Sequence, residues 1–415
     1  LAAYTFSERL SSEKLLEWTQ ATRRSELNQM ASPYCERAIA ESVRVGNAIV
    51  KFISPNDVGL TGGHQCGYYL PKAVWQMFTP HKPEKGKNHE TSVTVTWQDG
   101  RVTDSRVKWY GKGTRSEYRL TRFGKDFPFL TFDNVGDLLI LIPETHQKFS
   151  AFVLDRDTDI EDMEAALGVQ ITKNWAVYRH GEPQVEDEDQ CVEKKFRKFV
   201  EVLNAFPTGA IFSKEARDAL TECIKKFDVL PLDELLMQCM DAEYRLFRLA
   251  ERQLCQAEIV RVFKDVDDFL RTASSIMNRR KSRAGRSLEN HMEFILKKSG
   301  IPHVIRPKLD GEPDIVIPSA EAYNDHNYPT NKLIVVGVKT TCKDRWRQVV
   351  HEAKRVTEKH ILTIQQGISS KQLTQMHDSH VTLIVPSRLH KQYPKSPMTI
   401  LDVKGFVQEV KQRLA

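Results

Sequence analysis

The sequence predicts a multidomain protein in which a mostly β unit is followed by helices and an α/β core. Three observations lead there. At 415 residues the chain exceeds one ordinary core, which favours two to three domains. Short strands punctuated by Gly and Pro fill residues 47–180. Apolar, β-branched runs alternate with helical patterns over residues 303–415.

Taken in order, residues 1–46 are rich in Leu, Glu and Arg, as in Glu13-Lys-Leu-Leu-Glu-Trp, and are expected to be a helical extension. Thr91–Trp97 and Asp137–Pro143 read as strands of a barrel-like unit over 47–180. The stretch Gly181-Glu-Pro-Gln-Val-Glu-Asp-Glu-Asp-Gln is polar, acidic and aperiodic, so 181–194 is expected to be an exposed linker. Helices follow from 195 to about 300. His360-Ile-Leu-Thr-Ile and Val381-Thr-Leu-Ile-Val read as strands and Phe406–Leu414 as a closing helix, which makes 195–415 one α/β unit.

A net charge of +6 and a pI near 8.8 permit a polyanionic partner without demanding one. No run of about eighteen apolar residues is present, so no membrane span is expected. The first residues, Leu1-Ala-Ala-Tyr-Thr-Phe, lack the apolar core of a secretory signal. Seven cysteines lie scattered without a C-x-x-C pair, so reduced thiols and no structural zinc are expected. Cys342 reads as packing.

Chemistry concentrates between residues 278 and 352. Leu333–Val338 reads as a buried strand ending at Lys339, and Asp314 opens another strand in Gly311-Glu-Pro-Asp-Ile-Val-Ile-Pro. From Asp344 the apolar residues Trp346, Val349, Val350, Ala353 and Val356 recur at helical spacing. That period sets Arg345, Gln348 and Glu352 on another face. Two acids and a lysine at strand ends suit metal-dependent phosphodiester hydrolysis: carboxylates hold a hard cation, and the lysine steadies water or developing charge. Each residue alone is more often solvated than catalytic. Glu289, in a helix with the apolar stripe Leu288, Met292 and Ile295, is a fourth, weaker site residue, with Glu293 the competing choice. Arg279, Arg280, Lys281, Arg283 and Arg286 form a basic cluster suited to phosphate, or to plain solvation. Lys343, Asp344 and Arg345 open the next helix; an arginine on guanine beside an acid on cytosine would specify G·C pairs.

A second constellation lies upstream, in Ser54-Pro-Asn-Asp-Val-Gly-Leu-Thr-Gly-Gly-His64-Gln-Cys-Gly-Tyr-Tyr69 and Tyr110-Gly-Lys112-Gly-Thr-Arg115-Ser-Glu117-Tyr-Arg119-Leu-Thr-Arg122. Arg115, Glu117 and Arg119 share one edge, a pattern equally compatible with base reading and with a salt-bridged β surface.

Both segments resemble the EcoRII-type restriction endonucleases, a branch of the PD-(D/E)xK nucleases. The first matches Asn278–Glu289, Asp314 and Lys339–Gln348. The second resembles that branch's effector-binding pseudobarrel. The resemblance implies a β pseudobarrel that binds DNA, then a restriction-endonuclease-like catalytic domain with a central mixed sheet flanked by helices. It implies cleavage of double-stranded DNA at a CC…GG site, Mg²⁺ as cofactor, a homodimer, and a bacterial cytoplasmic setting. It also implies a second DNA copy bound as effector by His64, Tyr69, Lys112, Arg115, Glu117, Arg119 and Arg122. In the usual nuclease pattern an acid stands two residues before the lysine, where this chain has Gly337. The EcoRII branch moves that acid downstream, to Glu352 here. Asp314, Glu352 and Glu289 are then the metal ligands and Lys339 the water-orienting group. Tyr244 is the implied stacking residue for an extruded central base, although Met240 stands where a guanidinium is expected. Two alternatives from other classes stay open: a catalytically silent DNA-binding regulator, and a repair nuclease.

Overall fold

The computed structural model describes residues 31–62, 66–113, 116–172, 174–181 and 190–415. The chain opens with helix α1 (Pro33–Val45). Ser32 caps it by accepting the Cys35 N–H at 3.2 Å, and Gly46 stops it at φ +72°. An eight-stranded sheet follows, built from β1 (Asn47–Phe52), β2 (Tyr68–Pro71), β3 (His89–Trp97), β4 (Val102–Tyr110), β5 (Glu117–Thr121), β6 (Leu138–Pro143), β7 (Lys148–Leu154) and β8 (Trp175–Arg179). Its order is β2-β5-β4-β3-β7-β6-β1-β8. All pairings are antiparallel except β3 with β7. The alternation read from the sequence appears in β4, where Thr103, Ser105, Val107 and Trp109 face inward. Trp97, Phe123, Phe127 and Phe129 fill one end of this core with mutual ring contacts. Helix α2 (Asp157–Leu167) leaves β7 and ends at Gly168.

Helices α3 (Gln190–Glu201), α4 (Gly209–Cys223), α5 (Leu232–Val260) and α6 (Val266–Lys298) form a bundle. The expected linker ends earlier than read: Val192, Phe196 and Val200 are buried at helical spacing, so α3 starts at Gln190. The thiols also depart from expectation. Cys191 and Cys223 are disulfide-bonded, because α3 and α4 bring residues 32 apart in sequence to a Cα separation of 5.8 Å. The tip of the α5–α6 hairpin exposes Ile259, Val260, Val262, Val266, Phe269 and Leu270.

The second sheet has the order β14-β13-β12-β11-β10-β9, with β9 (Val304–Ile305), β10 (Ile315–Ile317), β11 (Ile334–Val338), β12 (Lys359–Leu362), β13 (Val381–Ile384) and β14 (Ile400–Leu401). β9, β10 and β11 pair antiparallel and β11 to β14 parallel, giving the mixed sheet. Helices α7 (Ala320–Asn324), α8 (Trp346–Val350), α9 (Ser370–Asp378) and α10 (Val403–Leu414) complete the unit. The helix read from Asp344 to Val356 is only five residues long. Ala353 takes φ +43° and gives its N–H to the Asp310 carbonyl at 2.8 Å, so the periodic apolar residues continue into a turn. Among the described residues no helix is long and apolar enough to cross a membrane.

Candidate active site and DNA interface

β10 and β11 run antiparallel with Ile315 opposite Val336, which sets Asp314 level with Gly337 and on the same face as Lys339, two residues on. Asp314 and Lys339 therefore meet. The Lys339 ammonium and the Val338 N–H both donate to Asp314 Oδ2 at 2.7 Å. Both residues line a cleft of 370 Å³ with Glu289, Arg306, Thr340, Thr341 and Arg345. Glu352 stands on the turn after α8. Burial pushes its carboxyl up to about 7, with Lys339 opposing and Asp314 adding to the rise. Its Oε2 is buried without a hydrogen-bond partner. Asp314 and Glu352 thus offer hard oxygen donors, one with an unsatisfied atom, the donor chemistry that suits a divalent cation.

The glycine at position 337 has a steric reason. A Cβ on Gly337 would lie 2.5 Å from Val349 Cγ2, so α8 packs where a carboxylate would otherwise stand. Glu289 lies on α6, almost fully buried and ion-paired with Arg306, so it faces the same cleft with its charge already matched. Glu293, the competing choice, pairs with Lys297 at 2.5 Å on the outer surface.

Most of the implied DNA-contacting residues of this domain meet the first domain, although Asp344 and Lys281 keep solvent exposure. Asp157, at the start of α2, accepts the backbone N–H groups of Lys343, Asp344 and Arg345 at 3.1, 2.9 and 3.1 Å. Its carboxyl is driven well above its ordinary range by burial and by the Asp344 carboxyl beside it. Lys343 is 2% exposed and ion-paired with Asp137; burial pulls its ammonium down to about 7, with Asp344 opposing. Arg345 pairs with Glu161 and Lys281 with Asp162. Arg280 pairs with Glu251 at 2.7 Å and donates to the Ala165 carbonyl at 2.6 Å. Arg283 is buried against the rings of Tyr244 and Phe247 at 5.1 and 5.4 Å. A guanidinium from α6 thus lies beside Tyr244, although Met240 on α5 offers none. The Tyr244 hydroxyl donates to the Gly168 carbonyl, again across the domain boundary. Arg279 sits over the Phe206 ring at 3.8 Å.

Sequence reasoning missed α2 as the opposing surface. Its signal was present in Asp155-Arg-Asp-Thr-Asp-Ile-Glu-Asp-Met-Glu, an acid-rich helix start facing a basic cluster elsewhere in the chain.

In the first domain, Glu117 and Arg119 project half-buried from β5, Tyr69 pairs opposite Arg119 on β2, and Lys112 and Arg122 are exposed. Arg122 takes φ +68°. Asp57 fixes the preceding arm: it accepts from Ser54, from the Tyr69 N–H at 2.7 Å and from the buried Lys51 ammonium. His64 and Arg115 lie outside the described residues.

Comparison with known proteins places both halves of the chain in one family. The family model described as EcoRII C terminal matches residues 247–407, and the one described as restriction endonuclease EcoRII, N-terminal, matches residues 42–182. The chain is 34% identical over 391 residues to the type II restriction enzyme EcoRII of Escherichia coli, covering 87% of this chain and 93% of that enzyme. The chain belongs to the EcoRII family of type II restriction endonucleases. Solved structures similar to this EcoRII-family chain include metal-depleted Ecl18kI with uncleaved, modified DNA (TM-score 0.44, 18% identity, 53% of this chain and 84% of that one). Another is the PspGI–substrate DNA complex (TM-score 0.42, 15% identity, 50% of this chain and 93% of that one). As an EcoRII-family member the protein is a DNA-binding hydrolase of a restriction system, and a divalent metal requirement goes with that membership.

Proposed function

We propose that this endonuclease cuts double-stranded DNA at a CC…GG site of the CCWGG kind, with Mg²⁺ held by Asp314 and Glu352 and with Glu289 as accessory ligand. The observation that carries the reading is the bonded Asp314–Lys339 pair beside a buried, unpartnered Glu352 oxygen. A bound cation supplies Lewis acidity toward the phosphate and makes water a nucleophile near neutral pH. Asp314 and Glu352 would hold that cation, and the Lys339 ammonium would orient the attacking water and meet charge on the phosphate oxygens. Lys343, Asp344 and Arg345 read the outer base pairs, and Tyr244 with Arg283 receives a central base. Arg279, Arg280 and Lys281 track phosphates.

The working enzyme is a homodimer, one catalytic centre for each strand, and the exposed apolar hairpin tip of residues 259–270 offers a face for a second copy. One functional unit spans 47–180 and the other begins with the helix at Gln190, with 1–46 as an extension. The first unit binds a second DNA copy through His64, Tyr69, Lys112, Arg115, Glu117, Arg119 and Arg122. The two units are coupled because α2 covers the base-reading residues, so effector DNA must favour an open arrangement to permit cutting. Digesting plasmid DNA with the protein and Mg²⁺ and sequencing the fragment ends tests the reading. Ends sharing one C/G-rich motif are expected; ends scattered without a motif would overturn it.

A further inference from the structure

Glu352 belongs to no helix, strand or fixed rotamer ladder, yet the chemistry asks its carboxylate to hold one position. The residues around the turn answer that demand. Ala353, next to Glu352, is fully buried at φ +43°, a conformation that an L side chain adopts only when its surroundings over-determine it. Its N–H reaches the Asp310 carbonyl at 2.8 Å, and its carbonyl accepts from the buried Lys359 ammonium at 3.2 Å. The Asp310 carboxylate accepts the Lys354 N–H at 2.8 Å and the Tyr323 hydroxyl at 2.7 Å. That hydroxyl in turn accepts the Arg355 N–H at 3.2 Å. Gly311, at φ +75°, lies so close that a Cβ there would come 2.7 Å from Glu352 Cα. Three successive backbone N–H groups after Glu352 are therefore held by two residues, Ala353 by the Asp310 backbone carbonyl and Lys354 and Arg355 by the Asp310 and Tyr323 side chains.

We propose that Asp310 and Tyr323 are positioning residues for Glu352: they hold the strained turn at residues 353–355 and so set the metal-facing carboxylate. The inference rests on the reading of Glu352 as a metal ligand. Neither residue touches DNA, metal or water in this role, and nothing in the sequence pattern of nuclease motifs marks them. The Tyr323 hydroxyl is the sharper of the two, because it is a single atom joining Asp310 to the Arg355 backbone.

The test uses the full chain and Mn²⁺ as probe, with binding followed by calorimetry and cleavage of a two-site plasmid titrated with Mg²⁺. Glu352→Gln is the reference. Tyr323→Phe and Asp310→Asn are expected to weaken Mn²⁺ binding at least threefold and to raise the Mg²⁺ midpoint by a similar factor. DNA affinity in Ca²⁺ and the melting temperature of Tyr323→Phe are expected to stay near those of the parent. A purely structural role would lower the melting temperature and leave the metal midpoint alone. If Glu352→Gln weakens Mn²⁺ binding and Tyr323→Phe does not, the positioning role is overturned. If Glu352→Gln itself binds Mn²⁺ like the parent, the ligand assignment fails, and the positioning proposal falls with it.

Discussion

Asp314 Oδ2 receives two N–H donors at 2.7 Å, so removing either partner of the Asp314–Lys339 pair acts directly on the reacting centre. Asp314→Ala and Lys339→Ala are expected to slow cleavage at least about a hundredfold, the loss of a transition-state contact of ~3 kcal/mol, while DNA affinity in Ca²⁺ stays close to the parent. Cleavage of a two-site plasmid at near-parent rate would show the site to be elsewhere. Gly311→Ala is expected to reduce cleavage as well, because its new Cβ would collide with the Glu352 backbone at a φ that favours glycine. Its digestion rate against its thermal melt checks that outcome. At this scale the sequence was informative where chemistry and strand order coincide: Asp314 and Lys339 flank strands that pair antiparallel. Glu352 was placed by resemblance, and its helical setting was misread because Trp346, Val349, Ala353 and Val356 keep a helical spacing through a turn.

On the proposed function, helix α2 is the element that would decide access. Desolvation raises Glu161, drives Asp157 well up and pushes Glu164 up to about 7. An acid whose closed-state value is raised favours closure below its ordinary value, and that contribution is lost as pH rises through the shifted one. Closure is therefore expected to weaken between about pH 4.5 and 7 as Glu164 ionises, with Glu161 and Asp157 acting in the same direction. Lys343, depressed to about 7, disfavours closure as pH falls toward that value, so the carboxyl-driven window lies below it. Fluorescence transfer between labels on the two domains is expected to report opening as pH rises from 5 to 7, and Glu164→Gln is expected to flatten that curve. A curve unchanged by the variant would remove Glu164 from the latch. The strands were legible element by element, as Leu138–Pro143 and Val381–Ile384 show. The packing of α2 on Lys343–Arg345 was not, because a contact across 186 or more residues leaves no local periodicity.

At the scale of the whole molecule, the two domains are tied by contacts through Lys343, Arg345 and Lys281, which on the proposed function a DNA duplex would replace. Intact chain is expected to cut a one-site plasmid poorly and to be stimulated by a short duplex carrying the site. A fragment beginning near residue 190 should cut that plasmid unaided. If the fragment is slower than the intact chain on the one-site plasmid, the first domain adds affinity rather than restraint. Composition and strand spacing made the two-unit plan readable, whereas the covering of one unit's reading surface by the other depends on three-dimensional charge matching that +6 overall does not reveal. The same matching has a consequence for ionic strength. Arg345–Glu161 and Lys281–Asp162 are half-exposed pairs, and dissolved ions screen them just as they screen phosphate contacts. Added salt thus loosens the protein's grip on its own acids while it loosens the grip on DNA, and the two effects oppose each other. The logarithmic salt slope of site binding should therefore be shallower for the intact chain than for the fragment, in which every contacted phosphate counts at its full weight of about 0.9. The first domain would then act as a buffer, holding occupancy of the site steadier than bare electrostatics allows when the ionic composition around the DNA changes.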